Sequence, residues 1–193
     1  MPSPDPTRSA PRVLACALGM VALAIACSKQ ERPDVAVRQS TLAAQTPPVP
    51  ADTADSQFVS FDPATNTVTF KLVAGPFVFN GFGNGQATLT VPAKSNIVMN
   101  FVQDDGTPHS AEVQSGDGPV ANSGGNPAIP RAYTNKVVEG LPQGATDVMR
   151  FTVPDTGKYR IICGVPGHAL SGMWIWLAID PSAKEPKFGK TTP

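Results

Sequence analysis

Hydrophobic and polar residues alternate in short runs through the middle of the chain, with the two-residue period of half-buried β-strands. Over residues 66–73, Val68, Phe70 and Leu72 fall on one face, and Thr67, Thr69 and Lys71 on the other. Residues 87–91, 96–102, 149–153, 158–163 and 174–179 are further strand candidates. Turn residues punctuate them at Asn84-Gly85, Asp105-Gly106, Gly124-Gly125 and Asp155-Thr156-Gly157. Several short strands at this spacing predict an all-β sandwich or barrel over residues 58–181. No helical period persists long enough for a βαβ fold. Residues 115–130 are rich in Gly, Asn and Pro and read as a long loop, and the acidic pair Asp104-Asp105 reads as a solvated hairpin tip. Val91, Val98, Phe101, Phe151, Ile161, Trp174 and Trp176 are expected in the core or as partly covered aromatics.

The ends of the chain follow other patterns. Residues 1–12 are polar and carry Arg8 and Arg12, and an apolar run then extends over residues 13–26. That run is short for a spanning helix, which needs about 20 apolar residues. Residues 1–26 therefore read as a signal peptide. The run closes on Leu23-Ala24-Ile25-Ala26-Cys27, which resembles a bacterial lipobox with Ala24 where Leu is commonest. Lipidation of Cys27 is the expectation; an ordinary cleaved signal and an uncleaved anchor are the other readings. Residues 27–57 are Pro-rich with few large apolar side chains, as in a flexible tether. The polar residues 182–193 read as a loose tail. The expected location is exported, periplasmic or extracytoplasmic, as a membrane-anchored lipoprotein.

Length adds little: 193 residues fit one domain with accessory segments. Charge excludes more. Lys plus Arg and Asp plus Glu both number 15, so nothing attracts the chain to nucleic acid. Cysteine changes the picture most. Cys16 and Cys27 lie in the apolar N-terminal stretch, which leaves Cys163 alone in the body of the protein. That rules against a disulfide framework. A lone thiol in an exported protein needs a reason, and metal ligation is one.

The reason lies in Cys163-Gly-Val-Pro-Gly-His168-Ala-Leu-Ser-Gly-Met173. A thiolate, an imidazole and a thioether share one Gly- and Pro-rich loop between two strand candidates. Soft sulfur with imidazole selects copper, and two His, one Cys and a weak axial Met form the blue-copper electron-transfer set. The second imidazole must come from elsewhere, and the chain holds only one other His, His109 in Thr107-Pro108-His109-Ser110. Ser110 is expected to hydrogen-bond across to the Cys163 loop, with loop amides bonding the sulfur. Taken singly, Cys163 reads as a buried structural Cys, His168 as a surface residue and Met173 as core filler; the joint spacing reverses those readings. A Cys–His hydrolase would need an orienting partner and has no use for Met173. A copper oxidase or nitrite reductase would need further His ligands. The chain therefore reads as a carrier rather than an enzyme. A copper-storage or delivery protein is the alternative, although such sites are usually exposed Met- or Cys-rich clusters.

At these residues the chain resembles the cupredoxin family, and within it the sulfocyanins. The resemblance rests on Phe77-Val-Phe-Asn80-Gly-Phe-Gly-Asn-Gly85, Thr90-Val-Pro-Ala93, Pro108-His109-Ser110, the Cys163–His168 loop and Ser171-Gly-Met173-Trp174. It covers residues 61–179. It implies a Greek-key β-sandwich, one type 1 copper cycling between Cu(I) and Cu(II), and a respiratory electron-carrier role. Many cupredoxins carry Asn where this chain has Ser110. The expected partners are redox proteins such as a cytochrome or terminal oxidase, met by a monomeric domain. Val165, Pro166, Ala169 and Leu170 are expected to form an apolar docking patch around the edge of His168.

Overall fold

The computed structural model describes residues 57–192. The expected signal peptide, the lipidation site Cys27 and the tether up to residue 56 lie outside the described residues. Ten strands are named among the described residues: β1 (Val59–Asp62), β2 (Thr67–Gly75), β3 (Val78–Phe79), β4 (Ala87–Pro92), β5 (Asn96–Gln103), β6 (Glu112–Ser115), β7 (Thr146–Thr152), β8 (Gly157–Ile162), β9 (Trp174–Asp180) and β10 (Lys187–Lys190). They form two sheets. One runs β1-β2-β5-β7 with β3 paired to β2; the other runs β10-β4-β9-β8-β6. From β3 to β8 every step of the chain crosses to the other sheet. This crossing makes the β2–β5 and β4–β9 pairs parallel while the other pairs are antiparallel.

Alternation decides which face is buried. Val68, Phe70, Leu72 and Ala74 of β2 face inward, as do Ile97, Met99 and Phe101 of β5. Leu89 and Val91 of β4 and Ile175, Leu177 and Ile179 of β9 meet them from the other sheet. The outcome is the all-β sandwich that the pattern predicts, closed by one apolar core. Trp174, Trp176 and Val98 occupy the opposite, half-covered faces of their strands. Lys158 lies 4.0 Å over the Trp176 ring, which covers part of that aromatic surface.

Two expectations need correction. The tail expected to be loose over residues 182–193 is held at Lys187–Lys190, where β10 pairs antiparallel with β4. Phe188 is 1% exposed and packs against Phe58, Phe70 and Phe82 at ring-centroid distances of 5.8, 5.0 and 5.9 Å. One aromatic between lysines and a glycine gives no alternation to read, yet it fills the core at that edge. The irregular stretch after β6 also runs further than residue 130, up to β7, and it is tied down. Ala128 N donates to Val113 O (2.8 Å), Thr134 N to Ala111 O (2.9 Å) and Gly124 N to Gly164 O (2.8 Å). Ile129 and Ala132 of this stretch are themselves buried. Among the described residues no helix is long and apolar enough to cross a membrane.

Candidate metal centre

The strand ends deliver the expected ligand residues to one place. Cys163 directly follows β8 and Met173 directly precedes β9. Because β8 and β9 are hydrogen-bonded neighbours, the intervening loop must close on itself. Cys163 N donates to Met173 O at 3.0 Å, and Met173 N to His168 O at 3.0 Å. Two glycines permit this. A Cβ on Gly164 would stand 2.7 Å from Val137 O, and one on Gly172, at φ 102°, would strike the Asn84 side chain at 2.6 Å. Asn84 N in turn donates to Gly172 O at 2.7 Å, so the Asn84-Gly85 turn braces the ligand loop. His109 arrives from the connection between β5 and β6, fixed by paired backbone bonds with Leu141.

Three donor atoms converge. His109 Nδ1 and His168 Nδ1 lie 3.1 Å apart, and Cys163 Sγ lies 3.8 and 3.5 Å from them. At bond lengths of about 2.0 Å to nitrogen and about 2.3 Å to sulfur, three donors around one first-row metal ion stand about 3.5–3.8 Å apart. The set therefore fits a single ion with little adjustment, and its mix of thiolate and imidazole suits copper. Cys163, His109 and Met173 are fully buried, whereas His168 is partly exposed. Met173 lies where its backbone bonds to both Cys163 and His168.

The surroundings set the protonation of these groups. Burial raises the pKa of the Cys163 thiol, opposed by the Ser110 and Val165 amides. Burial also lowers the pKa of His168, followed by the charge of His109, with Asp105 opposing. His109 Nε2–H donates to Asp105 Oδ2 at 2.8 Å, which leaves the His109 Nδ1 lone pair facing the cluster. Asp105 is thereby held below the usual carboxylate range, chiefly by this hydrogen bond.

Ser110 bonds the Cys163 loop through both its amide and its hydroxyl. Its backbone N–H points at Cys163 Sγ (3.5 Å), its hydroxyl donates to Val137 O (2.6 Å), and it accepts from Gly164 N (3.0 Å). The expected docking patch needs one correction: Ala169 is 1% exposed and faces the interior. Pro166 and Leu170 are exposed, Leu170 at 60%, and Val165 is half-buried.

Two residues at the site escape sequence reasoning. Asp105 is not a solvated hairpin tip; Asp104 is exposed, but Asp105 turns inward with 17% of its side chain exposed. Phe77 lies over both imidazoles, with centroids 4.7 Å from His168 and 5.9 Å from His109. It has φ 55° and remains 40% exposed. A bulky residue in the left-handed region persists only where its surroundings impose it. Its signal in the sequence is its place at the head of the Phe77–Gly85 segment that carries the family resemblance, which assigns it no role at the site.

Comparison with known proteins bears on this geometry. A family model described as the sulfocyanin (SoxE) domain matches residues 54–188. The sulfocyanin of Sulfolobus acidocaldarius is 29% identical over 117 residues, which is 57% of this chain and 59% of that protein. The chain thus spans under two thirds of that relative. Among solved structures, auracyanin B is 26% identical with a TM-score of 0.48, covering 64% of this chain and 94% of that one. Rusticyanin from Thiobacillus ferrooxidans is 24% identical with a TM-score of 0.45, covering 64% and 88%.

Proposed function

The chain belongs to the sulfocyanin (SoxE) domain family, and we propose that it is a one-electron carrier with one copper ion held by His109, Cys163 and His168. Met173 is the weak fourth donor of this reading. The observation that carries it is the convergence of two imidazole Nδ1 atoms and one thiol sulfur within 4.8 Å of one another. When bound, copper supplies a one-electron Cu(I)/Cu(II) couple. The chain's own residues do the rest. Buried His109, Cys163 and Met173 keep water from the donors. The Ser110 amide aims at the sulfur and stabilises its charge. His168 alone offers an edge to solvent and is the route for the electron.

Leu170 and Pro166, with Phe77 above the ring, place apolar surface around that edge. Such a rim suits brief docking of a redox protein such as a cytochrome or terminal oxidase, with little charge steering. Leu170→Lys is expected to slow electron exchange with that partner while leaving the colour intact; unchanged exchange sinks the docking surface. The wider setting belongs to the same reading: a respiratory chain at the outer face of a bacterial membrane, with attachment through Cys27. Cys27→Ser is expected to move the protein out of the membrane fraction. Both His residues of the chain lie in the cluster, which leaves no imidazole for a second, catalytic copper. Burial of the sulfur disfavours ready transfer to a copper acceptor, as storage or delivery would require.

The test is the visible and electron paramagnetic resonance spectrum of the chain with one equivalent of Cu(II). An intense thiolate-to-copper band that Cys163→Ser removes is the expected result. A colourless protein with ordinary tetragonal copper would overturn the reading.

A further inference from the structure

We propose that Asp105 is a positioning residue that biases the centre toward Cu(II) through its negative charge on His109; this rests on the copper reading above. His109 is fully buried, and its Nε2–H meets the Asp105 carboxylate at 2.8 Å. A carboxylate in that place does more than orient the ring. It makes the imidazole a stronger donor, and a stronger donor favours the more highly charged ion. The carboxylate is only partly exposed, and it meets a fully buried ring directly, so no solvent lies between its charge and that ring.

The surrounding turn is built to keep it there. Gln103, 1% exposed, accepts from Asp105 N at 2.8 Å through Oε1. Its Nε2 donates to Asp105 O at 2.8 Å and Thr107 O at 2.7 Å. One buried amide side chain thus closes the turn that aims the carboxylate. Among the described residues, no Lys or Arg pairs with Asp105, whose side-chain partner is the His109 ring. Asp104 supplies an internal control: the same charge one residue away, exposed and outside this network.

The experiment compares Asp105→Asn with Asp104→Asn in the copper-loaded full chain. Asp105→Asn keeps the shape and an acceptor oxygen but removes the charge. It is expected to lower the ratio of Cu(II) to Cu(I) affinity by about tenfold, a rise in reduction potential of about 59 mV for one electron. Asp104→Asn is expected to move it far less. Equal shifts in the two variants, or an unmoved potential in Asp105→Asn with its blue spectrum intact, overturn the proposal. A wild-type protein with no blue band fails the copper reading instead, so the two failures are distinguishable. Nitrogen-15 spectra of the metal-free wild-type imidazoles give a second readout that needs no variant to fold. The ring proton of His109 is expected on Nε2, and finding it on Nδ1 overturns the proposal.

Discussion

Ser110→Ala tests whether one hydroxyl joins the metal loop to the rest of the fold. In the wild type that hydroxyl is fully buried, donates to Val137 O at 2.6 Å and accepts from Gly164 N at 3.0 Å. Alanine fits the space but abandons both partners. A buried donor left unsatisfied costs about 1–3 kcal/mol, and the orphaned Val137 carbonyl adds to it, so a loss of about 2–4 kcal/mol is expected. Against a typical domain stability of about 5–15 kcal/mol this is large. With a urea m-value of about 2 kcal/mol/M, the unfolding midpoint should fall by about 1–2 M. The assay is urea denaturation of metal-free protein, followed by fluorescence of Trp174 and Trp176. The colour should survive, because the group aimed at Cys163 Sγ at 3.5 Å is the backbone amide, which alanine keeps. An unshifted midpoint would refute the reasoning. So would a lost blue band at unchanged stability, which would shift the role to the 3.9 Å contact between hydroxyl and sulfur.

The other predictions concern the tail, the loop beneath the site and the protons on the ligands. Phe188→Ala should cost about 3–5 kcal/mol in the same denaturation assay, since Phe188 is enclosed by three other Phe rings; a neutral effect would mean β10 is not part of the folded unit. Buried Glu112 accepts from Gln114 Nε2 (2.6 Å), Gly125 N (2.7 Å) and Asn126 N (3.2 Å), so Glu112→Ala should loosen the segment that holds Gly164 and Gly167. Copper should then pass to a chelator faster, and unchanged stopped-flow traces would count against it. Burial keeps the proton on the Cys163 thiol above its ordinary pKa of 9.0, while His168 is held below its ordinary 6.5. Between those limits Cu(II) must displace the thiol proton, so apparent affinity should rise about tenfold per pH unit across that window. A flat titration there would show that the thiolate is already formed.

What the sequence disclosed follows from where its signals are periodic. β2, β5 and β9 alternate over enough residues for the period to declare itself. The Cys163–His168–Met173 spacing is a local signal that needs no tertiary information. His109 followed from there being only two His residues in the chain. β10 stayed hidden because its one core residue, Phe188, sits in a polar run, and β6 because four residues are too few to show a period. Asp105 lies in an Asp-Asp-Gly turn, whose composition indicates solvent. Only the Gln103 network, assembled in three dimensions, turns that carboxylate inward. Ala169 shows the converse limit, since an apolar residue beside an exposed ligand reads as surface until the loop geometry is known. Phe77 is hidden for a third reason: its position over the imidazoles depends on a positive φ that its residue type disfavours.

These irregular segments explain why the cluster can exist before any ion arrives. Each donor-bearing segment is tied by backbone bonds to another part of the chain. His109 is held by Leu141, Cys163 by Met173, Gly167 by Asn122 O at 2.8 Å, and Gly172 by Asn84. Gly164 is held twice, by Ser110 and by Gly124. The tethering residues lie in connections between strands: Asn84 between β3 and β4, Ser110 between β5 and β6, and Asn122, Gly124 and Leu141 in the long connection between β6 and β7. Moving His109, or the loop at Gly164, Gly167 and Gly172, therefore means breaking hydrogen bonds to residues that are not themselves ligands. A centre that exchanges one electron works fastest when its ligands hold the same places in both oxidation states. That requires their positions to be set by the backbone rather than by the metal. On this reading the connection between β6 and β7 is a clamp on the ligand loop, bonded to Ala111 and Val113 on one side and to Gly164 and Gly167 on the other.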